Sequence, residues 1–150
     1  MQKRANFVPE GSNPLYEKFI NYIMEGGKKT IARKIFNDSM RIVTEKTKKD
    51  PLEIFNNAID NVKPQKEVKP KRIGGAVYQI PREVSANRQI MLAFRWILDS
   101  ASSEKGAPMH KRLANEIMNA AEGQGKAIKK REEAHKMAAA NKAFAHYSRY

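Results

Sequence analysis

The sequence predicts a mainly α protein, a six-helix bundle with a protruding two-stranded β-hairpin between the third and fourth helices. Three observations carry this. Apolar residues recur at three- and four-residue spacing in six separate segments, the pattern of helices that bury one face. One stretch, residues 66–84, breaks that pattern with β-branched and aromatic residues around Gly74-Gly75. The chain of 150 residues shows no internal repeat and no long low-complexity tract, which suits a single domain, 1–150, with a real core.

Residues 1–12 are polar, carry Lys3, Arg4, Pro9 and Gly11, and read as an extended arm. Asn13 can cap a first helix with Pro14 at its first position, followed by Leu15, Phe19, Ile20 and Ile23 on one face. Gly26-Gly27 ends it. A second helix carries Ile31, Ile35, Ile42 and Val43 and fades in Lys46-Thr47-Lys48-Lys49. Asp50-Pro51-Leu52-Glu53 opens a third, with the stripe Leu52, Phe55, Ala58, Ile59 and Val62, closed by Pro64. Ser85 can cap a fourth, whose Ile90, Ala93, Phe94, Ile97 and Ala101, widened by Trp96 and Leu98, make it the central core helix. A fifth holds Met109, Leu113, Ile117, Ala120 and Ala121. The C-terminal helix and tail, 126–150, run helical from about Lys126 to about Ala145, with a thin apolar side of Ile128, Ala134, Met137, Ala138 and Phe144.

In the hairpin, Gly74-Gly75 supplies the positive φ angles of a two-residue turn. Pro70 and Pro81 keep both arms out of the middle of a sheet, so a free-standing ribbon is expected. An isolated hairpin is marginal in water. Lys69, Lys71 and Arg72 charge its tip, where side chains have nothing to pack against, and an acidic receiver would complete it.

Lys and Arg number 29 against 16 Asp and Glu, a net charge of +13. Such a charge describes partners: polyphosphate is the obvious counter-charge, and an anionic membrane is the other. No apolar run approaches the roughly 20 residues of a membrane span, and no signal peptide is recognised. Cysteine is absent, which excludes disulfides and thiolate chemistry and fits an intracellular protein. No cofactor is called for.

Patterns that suggest catalysis fail on spacing. Gly27-Lys28-Lys29-Thr30 echoes a phosphate-binding loop, but Tyr22 occupies the position of the leading Gly and Lys29 separates Lys28 from Thr30. Glu132 and His135 have the spacing of a carboxylate-bridged metal helix, which needs a second such pair. The basic clusters are more informative. The ribbon and its flanks offer Lys69, Lys71, Arg72, Arg82 and Arg88, with Tyr78 as a ring for an unpaired base. The last helix offers Lys129, Lys130, Arg131 and Lys142, and Lys28-Lys29 and Lys3-Arg4 lean the same way. Together they favour nucleic acid over solvated charge runs. RNA suits a thin finger, although hairpins also enter the DNA major groove.

Residues Glu67 to Gly75 with Tyr78-Gln79-Ile80-Pro81 resemble the β-ribbon of small-subunit ribosomal protein seven, bacterial type. The segment Ala127 to Tyr147 resembles that family's last helix almost residue for residue, and Gly27-Lys28-Lys29, Arg95-Trp96 and Arg112-Leu113-Ala114 fall in register. Departures are a shorter, less basic arm, Gly26 in place of Asp, and Ser85-Ala86 in place of Arg-Pro. The resemblance implies a structural, non-enzymatic protein of the ribosome, cytoplasmic or organellar. In the family it binds the 3′ major domain of small-subunit rRNA, nucleates head assembly and approaches exit-site tRNA and mRNA. Ribosomal proteins nine and eleven are implied as neighbours. The RNA contacts it implies are Lys3, Arg4, Lys28, Lys29, Lys69, Lys71, Arg72, Gly74, Gly75, Tyr78, Arg82, Arg88, Arg95, Met109, Arg112, Lys129, Lys130, Arg131, His135, Lys142 and Arg149. The alternative is a non-ribosomal helical DNA- or RNA-binding regulator. A small hydrolase is a distant third.

Overall fold

A computed structural model describes residues 13–149; the expected N-terminal arm with Lys3 and Arg4 lies outside them. The elements run α1 (Pro14–Ile23), α2 (Lys29–Thr47), α3 (Pro51–Val62), β1 (Lys66–Ile73), β2 (Ala76–Glu83), α4 (Ala86–Ser103), α5 (Met109–Ala121) and α6 (Lys126–Ala140), then a 3₁₀ helix, Lys142–Arg149. The expected order and the hairpin between the third and fourth helices are both observed. The starts of α1 and α3 follow the capping logic: the Asn13 and Asp50 side chains accept from the Leu15 and Leu52 amides at 2.8 and 3.1 Å. Ser85 occupies the N-cap of α4, but its side chain makes no capping bond.

The core is an aromatic cluster wrapped by aliphatics. Phe19, Phe36, Phe55 and Phe94 are fully buried, and Phe19 meets each of the other three edge-on or nearly so, with centroids 5.0–5.8 Å apart. Such pairs are worth about 0.5–1.5 kcal/mol each beyond their buried area. Tyr16 joins the cluster through Phe36 and Phe55, its hydroxyl buried without a hydrogen-bond partner. Burial, then the charge of Asp50, push that phenol up to about 12.

Helix α2 departs from expectation. Its buried side is Ala32, Phe36, Ser39, Met40 and Val43, whereas Ile31 is exposed and Ile35 and Ile42 are half-buried. The helical period is as read, but the phase is displaced by one residue, because the Phe36 ring is what fits among Phe19 and Phe55. The buried Ser39 hydroxyl lies 2.8 Å from the Ile35 carbonyl and 2.9 Å from that of His110, tying α2 to α5. The last helix also differs. The α-helix stops at Ala140, because the Asn141 amide side chain donates to the Met137 carbonyl at 2.8 Å, and the chain continues as the tighter 3₁₀ helix. Met137, expected on the apolar side, is exposed.

The ribbon is not free-standing. Gly74 and Gly75 have φ of +59° and +85°, so both turn residues are left-handed. The register pairs Ile73 with Ala76, Lys71 with Tyr78, Lys69 with Ile80 and Glu67 with Arg82 on one face. That inner face packs against α6 and the 3₁₀ helix, with Ile80 buried and Tyr78 half-buried. The outer face exposes Lys66, Arg72, Val77 and Gln79. Pro70 faces Gln79 and Pro81 faces Val68. Counting alternately from the turn, both are wide pairs, whose amides point away from the partner strand.

Candidate nucleic-acid interface

The cationic side chains named from the sequence fall into two groups, those occupied within the fold and those left open to solvent. At the hairpin root, Glu67 gathers two guanidiniums. Arg82 donates to it at 3.0 and 2.7 Å, Arg88 at 2.6 and 3.1 Å. Burial raises the Glu67 carboxyl, but the bonds from Arg88 and Arg82 outweigh it and hold the group below the usual carboxylate range. This arrangement joins β1, β2 and the start of α4. On α6, the Arg131 guanidinium donates to the Asn61 carbonyl. Asn61 in turn caps α5, its amide nitrogen donating to the carbonyls of Ala120 and Ala121 at 2.9 and 3.0 Å. His135 Nε2 accepts the Gln65 amide at 2.9 Å, fixing the ring to the hairpin root. Burial, then the charge of Arg131, lower the His135 pKa.

Arg112 is likewise occupied. Its Nη1 reaches the carbonyls of Ala101, Ser102 and Glu104 at 3.4, 3.2 and 2.7 Å, so α5 lends a cation to the C-terminal end of α4, where the dipole favours one. Lys29 lies 3.8 Å from the buried Glu17, which Arg33 clamps at 2.5 and 2.9 Å. Lys130 stands 3.9 Å from Asp99. Lys71, expected to project from the tip, turns inward and donates to the Tyr147 carbonyl at 3.2 Å. Tyr78, read as an open ring, is covered by Phe144 and Tyr147 at centroid distances of 5.2 and 5.5 Å.

Lys28, Lys69, Arg72, Arg95, Lys129 and Lys142 remain exposed without a carboxylate partner among the described residues. Gly74 and Gly75 are exposed at the turn, and Arg149 ends the 3₁₀ helix. Met109 and Arg112 share with Lys28 one cleft of about 760 Å³ between the α1–α2 loop and the start of α5, with the exposed Ile31 on its wall. The α1–α2 loop and α5, distant in sequence, are thus brought together, as are the hairpin root and α6.

Two supporting features escaped the sequence reading. Glu116, on the inner side of α5, accepts the Ala127 amide at 3.0 Å and so caps α6, whose N-cap Gly125 has no side chain to do it. Burial raises the Glu116 pKa despite that bond. The only advance signal was a Glu among apolar positions of the fifth stripe. The aromatic cover of Tyr78 was visible as Phe144 and Tyr147 but not placeable, because nothing in a sequence says where a tail returns.

The family model described as ribosomal protein S7p/S5e matches residues 2–142. The chain belongs to this family. Among its relatives, the small ribosomal subunit protein uS7 of Thermotoga maritima is 53% identical over 139 residues, covering 93% of this chain and 90% of that protein. The uS7 proteins of Thermotoga petrophila and Dictyoglomus thermophilum are each 52% identical, covering 97% and 93% of this chain and 97% and 89% of their own lengths. As an S7p/S5e protein the chain is a ribosomal protein of the small subunit and not an enzyme. Among the described residues, no helix is long and apolar enough to cross a membrane.

Proposed function

We propose that this S7p/S5e protein binds the 3′ major domain of small-subunit rRNA and nucleates assembly of the subunit head. Its ribbon lies near exit-site tRNA and the mRNA path, with ribosomal proteins nine and eleven as neighbours. The observation that carries this reading is the division of the cations. Those at the hairpin root and on the inner side of α6 hold the elements together, whereas Lys28, Lys69, Arg72, Arg95, Lys129 and Lys142 lack carboxylate partners among the described residues, in a chain of net charge +13. Unpaired cations on ordered elements suit a phosphate backbone.

The reading assigns anchoring to the bundle and ligand contact to the ribbon tip. Lys28→Ala with Lys129→Ala is expected to weaken rRNA binding and incorporation into reconstituted subunits. Lys69→Ala with Arg72→Ala is expected to incorporate normally and to weaken exit-site tRNA binding on the particles formed. These four side chains are exposed and have no carboxylate partner among the described residues, so folding is expected to stay within about 0.5 kcal/mol of wild type. Normal incorporation of the bundle variant together with failed incorporation of the tip variant would reverse the roles. An rRNA affinity independent of salt would remove the phosphate-contact reading altogether.

A further inference from the structure

We propose that Lys142–Arg149 is a displaceable strap over a base-stacking platform on the ribbon, so that single-stranded RNA binds Tyr78 by pushing the protein's own C-terminal segment aside. The proposal rests on the RNA-binding reading above and adds to it a site and a competition.

The strap presents to the ribbon what a nucleotide would present. The rings of Phe144 and Tyr147 lie 5.2 and 5.5 Å from that of Tyr78, the latter tilted by 31°. The Tyr147 carbonyl accepts from Lys71 Nζ at 3.2 Å. Lys71 and Tyr78 are cross-strand partners on the same ribbon face. An unpaired base offers a flat π face, and its adjoining phosphate offers an oxygen. The same ring and the same ammonium can therefore hold either occupant, but not both at once.

Three features make the strap the part that yields. It is a 3₁₀ helix of 8 residues, longer than the three or four residues such helices usually sustain, with poorer hydrogen-bond geometry than an α-helix. Among the described residues it rests on the two strands of the ribbon and on α6, and most of its residues are exposed, among them Lys142, His146 and Ser148. Neither Tyr78, Phe144 nor Tyr147 belongs to the buried core cluster, so opening the strap leaves the bundle intact. The ribbon stays in place, because its root is held separately by the Arg82–Glu67–Arg88 cluster and the Gln65–His135 bond.

A covered site binds with its affinity reduced by the fraction of time it is open. A strap open about one time in ten lowers affinity roughly tenfold. The test is titration of an oligoadenylate octamer containing 2-aminopurine, whose fluorescence is quenched on stacking, with the full chain. Phe144→Ala with Tyr147→Ala is expected to tighten binding by about three- to tenfold and to deepen the quench. Adding Tyr78→Ala to that variant should abolish the gain. An unchanged or weakened affinity in the double variant would overturn the proposal, because the rings would then be a fixed part of the surface. In the wild-type chain, saturating octamer should speed amide exchange across 142–149, and unaltered or slower exchange there would equally overturn it. A transcript of the rRNA 3′ major domain, titrated in parallel, separates the two claims. Binding of the transcript with no effect of the strap variants removes the strap alone, whereas no binding of either RNA removes both readings.

Discussion

Glu67→Gln isolates what holds the ribbon to the bundle. The wild-type carboxylate accepts four N–H contacts from Arg82 and Arg88, with 12% of its own side chain exposed and 37–38% of theirs. Exposed ion pairs are worth about 0–1 kcal/mol, and breaking a buried pair costs about 3–5 kcal/mol. This cluster lies between, since both guanidiniums can rehydrate once released, so a loss of about 2 kcal/mol at neutral pH is expected. In a domain of this size that lowers Tm by about 4–8 °C. The pH dependence supplies a second reading. The Glu67 carboxyl in the folded protein titrates below the ordinary value of 4.5. Its stabilisation is therefore fully present above that value and is lost as pH falls through the lower, folded-state one. The gap in Tm between wild type and Glu67→Gln, measured by circular dichroism, should be full at neutral pH and should narrow as the acid limb is descended. Equal melting at neutral pH, or a gap that does not narrow in acid, would refute the reasoning.

Two further outcomes follow from named groups. Glu116→Ala removes the acceptor for the Ala127 amide and should cost about 1–3 kcal/mol in a denaturant titration. Glu116→Gln keeps an acceptor, and because burial raises the wild-type carboxyl, wild type should lose stability relative to this variant as pH rises from the ordinary carboxylate value through the raised one. His135 accepts the Gln65 amide only while neutral, and its pKa is lowered, so the stabilisation is present above 6.5 and lost as pH falls through the folded value. Amide exchange at Gln65, followed by NMR, should quicken over that descent in wild type and be quick throughout in His135→Ala.

The fold was largely legible because its signals are local. Asn13-Pro14 and Asp50-Pro51 state their helix starts, Gly74-Gly75 states its turn, and Phe55, Ala58, Ile59 and Val62 state a face that is buried as read. The phase of α2 was less legible: Ile31 and Ile35 looked like the stripe, and only the meeting of Phe36 with rings from α1 and α3 decides otherwise. The candidate interface was legible as charge but not as function of each charge. Arg82, Arg88, Arg112 and Arg131 read from the sequence as free cations, yet each is paired or bonded to residues 8 to 70 positions away. Arginine suits such work, since its planar fork satisfies two or three acceptors at once. The lysines named with them more often remain in water.

The two ribbon prolines protect the protein while it is not yet in a particle. A two-stranded ribbon has two open edges, and a row of bare amides there invites another chain to add a strand. Pro70 and Pro81 stand at positions whose amides would point outward, one on each strand, so each edge lacks a donor while the ladder between the strands is complete. Two copies meeting edge to edge would each present a gap in the hydrogen-bond row, alongside the mutual repulsion of Lys66 and Arg72. A small-subunit ribosomal protein that waits among identical chains before it joins a particle thus carries, in its most extended part, a built-in resistance to fibre growth.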